Sequence, residues 1–140
     1  MLLMLEDSPE RLDRFRAVLA AIAPEATLHV WRTAREMIHE VDRFWAKATL
    51  VCLDHDLDPD DSGLDPGDGY QVVQHLTATL PPRPVLIHTS NAPRGRWMEG
   101  ELELAGWPFG RVPALGDDWI EIDWRNGVRR FLKRSRSSGS

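Results

Sequence analysis

The chain has 140 residues and a mass of 15.9 kDa; 42% of its residues are hydrophobic and 28% charged, which suits one domain with its own apolar core. Its one cysteine, Cys52, leaves no internal disulfide framework, no N-terminal stretch reads as a signal peptide, and no apolar run approaches the ~18–20 residues that span a bilayer. Secreted disulfide scaffold, membrane protein and disordered chain are set aside, and a soluble cytoplasmic protein is expected.

The net charge of −5 is unevenly spread. Residues 125–140 carry six basic groups and no acid, so residues 1–124 hold all 22 acids against 11 basic groups. Seven aspartates (Asp54, Asp56, Asp58, Asp60, Asp61, Asp65, Asp68) fall within fifteen residues that contain no Lys or Arg. The acidic body repels nucleic acid at a distance, whereas the basic 125–136 segment predicts at most a weak contact with it.

In chain order, Met1–Leu5 reads as a buried strand broken by Glu6-Asp7-Ser8-Pro9. Ser8 before Pro9 predicts a helix over 9–22, with Leu12, Phe15, Leu19 and Ile22 on its apolar face and Pro24 beyond its end. Thr27–Trp31 is a second strand. Thr33-x-x-Glu36 reads as a capping box for a second helix, whose inward stripe is Ala34, Met37, Ile38, Val41 and Trp45.

Thr49–Leu53 is a third, wholly apolar strand running into Asp54-His55-Asp56, followed by a turn-rich loop from Asp58 to Gly69. Val72, Val73, Leu76 and Leu80 mark a third helix, and Pro84–Thr89 a fourth strand. Residues 95–105 read as a helix, Phe109–Leu115 as a fifth strand and Asn126–Lys133 as a last helix, with 116–124 extended or helical. Such alternation predicts a doubly wound α/β fold: a five-stranded parallel sheet with helices on both faces. One domain over 1–134 and a flexible polar tail over 135–140 follow.

In such sheets ligands bind outside the carboxyl ends of the strands. There the first strand delivers Glu6 and Asp7, the third Asp54, His55 and Asp56, and the fourth His88, Thr89, Ser90 and Asn91, with Arg94 close behind. Asp54 directly follows a buried strand, where an unpaired charge is costly. A hard divalent cation, Mg²⁺ or Mn²⁺, bridging Asp7 and Asp54 would offset that cost. His55 and His88, at adjacent strand ends, suggest paired proton transfer or metal ligation.

His29, His39 and His75 lie inside predicted elements and read as structural. An EF-hand reading of the aspartate run fails: from Asp54, Pro59 stands where Gly is needed, and from Asp58 the twelfth position is Gly69. Cys52 reads as a buried thiol, and most tryptophans as packing residues. Trp97, near the fourth strand's loop, is a candidate for stacking on a base.

Glu6-Asp7, Asp54 and Thr89 at these positions resemble the response-regulator receiver domain. That resemblance implies Mg²⁺ held by the early acids and Asp54, with Asp54 accepting a phosphoryl group contacted by the Thr89 hydroxyl. Receivers carry a Lys at the end of strand five; near Val112-Pro113 the basic candidate is Arg111. The loop after Asp54 is also longer than in ordinary receivers.

Leu53-Asp54-His55-Asp56-Leu57, Gly69-Tyr70 and His88-Thr89-Ser90-Asn91 with Arg94-Gly95 and Met98 are similar to the cyclic-phosphate-processing receiver-like group. This similarity implies a metal-dependent phosphoesterase acting on cyclic nucleotide or RNA 3′-end phosphates, in RNA repair or nucleotide processing. Metal ligation would fall to Glu6, Asp7, Asp54 and Asp56. Asp54, His55 and His88 would be catalytic, and Thr89, Ser90, Asn91 and Arg94 would bind phosphate. The alternatives are a stand-alone receiver phosphorylated on Asp54 and a non-catalytic binding module. Oligomeric state is left open.

Overall fold

Short, nearly unbroken apolar runs make strands that must be covered on both faces. The computed structural model describes the backbone of residues 1–138 and side chains through Arg134. In it β1 (Leu2–Leu5), β2 (Leu28–Trp31), β3 (Leu50–Leu53), β4 (Val85–Thr89) and β5 (Phe109–Pro113) form one parallel sheet of order β2-β1-β3-β4-β5. The helices are α1 (Pro9–Ile22), α2 (Ala34–Glu40), α3 (Gly69–Thr79), α4 (Ala92–Leu104) and α5 (Arg125–Ser138). This is the expected doubly wound fold, in a strand order whose switch point lies between β1 and β3. No helix among the described residues is long and apolar enough to cross a membrane.

Residue parity divides the core. Leu3, Leu5, Val51, Leu53, Val85 and Ile87 face α2, α3 and α4, whereas Leu2, Met4, Leu50, Cys52 and Leu86 face α1 and α5. Cys52 is fully buried, and burial pushes its thiol up to about 12.

Local chemistry sets the helix ends. Ser8 Oγ accepts the Arg11 amide at 3.2 Å, so α1 starts at Pro9. Thr33 caps α2 through the Glu36 amide, but the reciprocal box forms at Asp68 and Gln71, and α3 starts at Gly69. The second helix ends earlier than its apolar stripe suggests. Residues Val41–Lys47 tighten to a 3₁₀ segment that still buries Val41 and Trp45, and Trp45 Nε1 donates to Pro81 O at 2.8 Å.

Asn91 Oδ1 accepts the Arg94 amide at 3.2 Å, and with Pro93 in the first turn α4 starts at Ala92 rather than 95. The ambiguous 116–124 stretch contains one wide helical turn, Ile120–Trp124, closed by Trp124 N donating to Trp119 O at 2.8 Å. It leads into α5, which continues through Ser138, past the expected Lys133. Of the expected tail, Gly139 and Ser140 lie outside the described residues.

Candidate active site at the carboxyl ends of the strands

Strand register builds the innermost part of the site. Leu5 lies beside Leu53, and Leu53 beside Ile87. One residue further along, Glu6, Asp54 and His88 therefore form a row across three adjacent strands, with the parity that faces α1. One ligand atom from each lies within 4.8 Å of the others, and all three residues are buried. His88 Nε2 sits 3.1 Å from Glu6 Oε1, and Glu6 Oε2 accepts the amides of Asp7 (3.0 Å) and Ser8 (3.1 Å). The His88 ring packs beside Phe15 (5.1 Å) and stacks on Trp119 (6.0 Å, 23°).

Arg11, in the first turn of α1, completes the row. Its guanidinium nitrogen is 3.6 Å from both Glu6 Oε1 and Asp54 Oδ2. Sequence reasoning missed it, because an arginine in the first turn of an amphipathic helix reads as solvated. The available signal was its spacing from Phe15, four residues on and therefore on the same helix face.

A second group lies at the rim. His55 Nδ1 is 2.7 Å from Asp56 Oδ1, and Asn91 Nδ2 donates to both Asp56 oxygens at 3.2–3.3 Å. His55 Nε2 is buried without a hydrogen-bond partner, 3.8 Å from Asp68 Oδ2. Backbone Asn91 N donates to Thr89 Oγ1 at 3.1 Å, while Ser90 is exposed. Thr89, Asn91 and Arg94 thus gather at the α4 N-terminus.

Burial and neighbours tune the carboxylates. Burial pushes Asp54 up to about 6, aided by the charge of Glu6 and opposed by His88, the His55 amide and Arg11. Burial also acts most strongly on Glu6, but the His88 hydrogen bond and attraction, the Ser8 amide and Arg11 outweigh it and hold Glu6 below its ordinary value. Asp56 is held low too: its hydrogen bonds to His55 and Asn91 outweigh burial. Asp7 is raised, mainly by burial and against the Asp58 amide.

Ionised carboxylates only accept hydrogen bonds, so His88 carries a proton on Nε2 and His55 one on Nδ1. Each ring then leaves its other nitrogen, His88 Nδ1 or His55 Nε2, without a hydrogen bond.

The expected residues therefore separate. Glu6, Asp54 and His88 come together; His55 and Asp56 form their own pair, so the two histidines do not face one another as a couple. Of the four expected metal ligands, Glu6 and Asp54 are in the buried cluster. Asp7 instead accepts the Asp58 amide at 2.6 Å, and Asp56 is engaged by His55 and Asn91. The cluster's third donor is the His88 imidazole. The two carboxylates by themselves suit a hard divalent cation, and the imidazole joins them only on giving up its Nε2 proton.

Arg111 does not take the place of the receiver lysine. It pairs with Ile87 within the sheet, and its side chain binds Glu99 Oε1 at 2.9 Å, on the α4 side. The cation beside Asp54 is Arg11.

Residues 1–104 match the family described as the cyclic-phosphate processing Receiver domain. No curated protein matches the chain. Among solved structures, the signal receiver domain of a putative Luxo repressor protein from Vibrio parahaemolyticus is similar at 18% identity, with TM-score 0.62 over 99% of this chain and 97% of that one. The CheY-like receiver domain protein from Methanospirillum hungatei gives TM-score 0.66 at 14% identity, covering 97% and 96%. The Mn²⁺-bound response regulator Rcp1 gives 0.67 at 16%, covering 94% and 92%.

Proposed function

The chain belongs to the cyclic-phosphate processing receiver family, and from that premise we propose that it is a phosphoesterase that opens cyclic phosphates of nucleotides or RNA 3′ ends. The observation that carries this reading is the buried His88–Glu6 pair beside Asp54. Accepting a phosphoryl group needs a carboxylate and charge neutralisation. A desolvated imidazole held on a carboxylate adds a place for a proton, which ester hydrolysis requires.

In the proposed reaction one water adds across a P–O bond of the ring and leaves a phosphate monoester and a free hydroxyl. His55, oriented by Asp56, takes the water's proton on Nε2, the nitrogen that makes no hydrogen bond. His88, as the imidazolium that the Glu6 carboxylate stabilises, gives its Nδ1 proton to the departing ribose oxygen and returns to the neutral ring, still held by Glu6 through Nε2. Thr89, Ser90, Asn91 and Arg94, with the positive end of α4, hold the non-bridging oxygens.

A Mg²⁺ or Mn²⁺ ion would be held by Glu6 and Asp54, and bound there it would neutralise phosphoryl charge and acidify water. Asp7 and Asp56 act from outside that pair. The basic face of α5, with Arg129, Arg130 and Lys133, would add weak attraction for an RNA strand.

A second reading, a receiver phosphorylated on Asp54, is favoured by the position of that carboxylate: the end of β3, 3.6 Å from Arg11. The two readings part in one experiment. The protein and its D54A and H88A variants are incubated with Mg²⁺ or Mn²⁺ and either a 2′,3′-cyclic nucleotide or a small phosphodonor. Turnover of the cyclic nucleotide, lost in both variants, supports the esterase. Stable phosphoryl label on Asp54 without turnover refutes it and supports signalling; neither activity leaves a binding module.

A further inference from the structure

Next to the rim pair an aromatic surface is left open. Trp97, on the second turn of α4, is 53% exposed although it is among the most apolar side chains of the protein. It is held in place all the same. The Arg94 guanidinium lies 3.9 Å from the ring centroid, and Tyr70 meets it edge-on at 6.1 Å. Tyr70 is anchored in turn by its hydroxyl, which donates to Glu101 at 2.7 Å.

Both helices connect this surface to the site. Along α4, Asn91 binds Asp56, and Arg94 contributes to holding Asp56 low before it covers Trp97. Along α3, Asp68 faces His55 Nε2, and Tyr70 follows two residues later. Trp97 lies six positions beyond Asn91, about 9 Å along the α4 axis, which a nucleoside phosphate can bridge when its phosphate sits at the helix N-terminus.

We propose that Trp97, with Arg94 and Tyr70, forms a nucleobase-stacking subsite, so that the substrate is a nucleotide rather than a bare sugar phosphate. The inference rests on the phosphoesterase reading and adds the part of the substrate that is recognised. An indole accepts a base on its π-face, the guanidinium pre-orders the ring, and neither demands a particular base. A purine, with the larger face, stacks best.

The test compares binding of adenosine 2′-monophosphate and ribose 5-phosphate by calorimetry, in the wild type, W97A and W97F. Stacking strengths of about 1–3 kcal/mol convert to about 5- to 150-fold tighter binding of the nucleotide by the wild type. W97A is expected to erase that ratio while leaving ribose 5-phosphate affinity unchanged, and W97F to keep most of it. Because Trp97 is exposed, W97A should retain the wild-type circular dichroism spectrum and unfolding midpoint.

A nucleotide-to-sugar ratio near one in the wild type overturns the subsite, as does a ratio that survives W97A. Loss of self-association in W97A with the ratio intact also overturns it and marks Trp97 as a protein contact. Failure of the catalytic reading looks different. The wild type then leaves 2′,3′-cyclic AMP intact while the binding ratio and its loss in W97A persist.

Discussion

The acids of this protein occupy two settings, and chemistry separates them. In the loop between β3 and α3, aspartates chiefly shape the backbone near them: Asp60 accepts the Ser62 amide, Asp65 the Gly67 amide and Asp68 the Gln71 amide, and the one further ion pair among these three that reaches α2, Asp60 with Arg35 at 3.2 Å, is partly exposed. These groups are partly or fully exposed and shape turns. In the row formed by Glu6, Asp54 and His88, the carboxylates are buried and depend on one imidazole and one guanidinium from other elements. Number of acids is thus a poor guide to a site. What matters is whether a charge has been taken from water and left to partners remote in sequence.

The largest test of this contrast is H88A. Removing the imidazole leaves buried Glu6 with only the Arg11 guanidinium at 3.6 Å and two backbone amides, so unfolding in urea should show a loss at the lower end for a broken buried pair, about 3 kcal/mol. A loss below about 1 kcal/mol would show that the row is as well solvated as the loop.

Next comes G69A, at the junction of the two regions. A Cβ there would lie 2.0 Å from Asp54 O and 2.9 Å from Met98 Cε, so backbone must move. Destabilisation of about 3 kcal/mol is expected, at the upper end for overpacking, with the proposed esterase activity falling as Asp54 shifts. Unchanged stability would mean that α3 does not press on the β3 end.

D54N has a smaller effect with a definite sign. The folded-state value of Asp54 is raised to about 6 from an ordinary 3.8, so its contribution to stability is fully present below 3.8 and lost as pH rises through about 6. In metal-free buffer D54N should therefore match the wild type near pH 4 and be more stable at pH 8, by about 2–3 kcal/mol. The His55 amide keeps its acceptor. Destabilisation at pH 8 would assign the dominant role to the Arg11 ion pair.

The smallest expected change is D61N. Asp61 is exposed in the loop, and stability should stay within about 0.5 kcal/mol at every pH. A larger, pH-dependent change would give the loop an electrostatic function of its own.

Legibility in the sequence followed the range of the forces involved. α1 was readable to the residue because Ser8, Pro9 and the apolar spacing all act locally. The second helix was misjudged in its later part, since Val41 and Trp45 stay inward in either a 3₁₀ or an α geometry. Strand-end position identified Glu6, Asp54 and His88 as neighbours, but not that parity puts them on the α1 face while His55 turns to Asp56 and Asp68. For Arg11 the spacing from Phe15 gave the helix face but not the partners, for a related reason. Its role depends on where α1 crosses the sheet, a packing angle that sequence spacing does not encode. The wide turn at Ile120–Trp124 likewise serves to seat Trp119 on His88.

Cys52, two residues before Asp54 in the chain and of the same parity as the row, has one more consequence. Thiolate formation is suppressed by burial, with the thiol pushed up to about 12, so alkylating reagents can act only on molecules whose sheet has opened. As the sole cysteine it is a built-in reporter. Its labelling rate under native conditions follows the opening equilibrium of β3, the strand that carries Asp54. A phosphate or nucleotide seated at the strand ends would slow that labelling in proportion to its occupancy, so ligand binding can be read at the sulfur without any measurement of turnover.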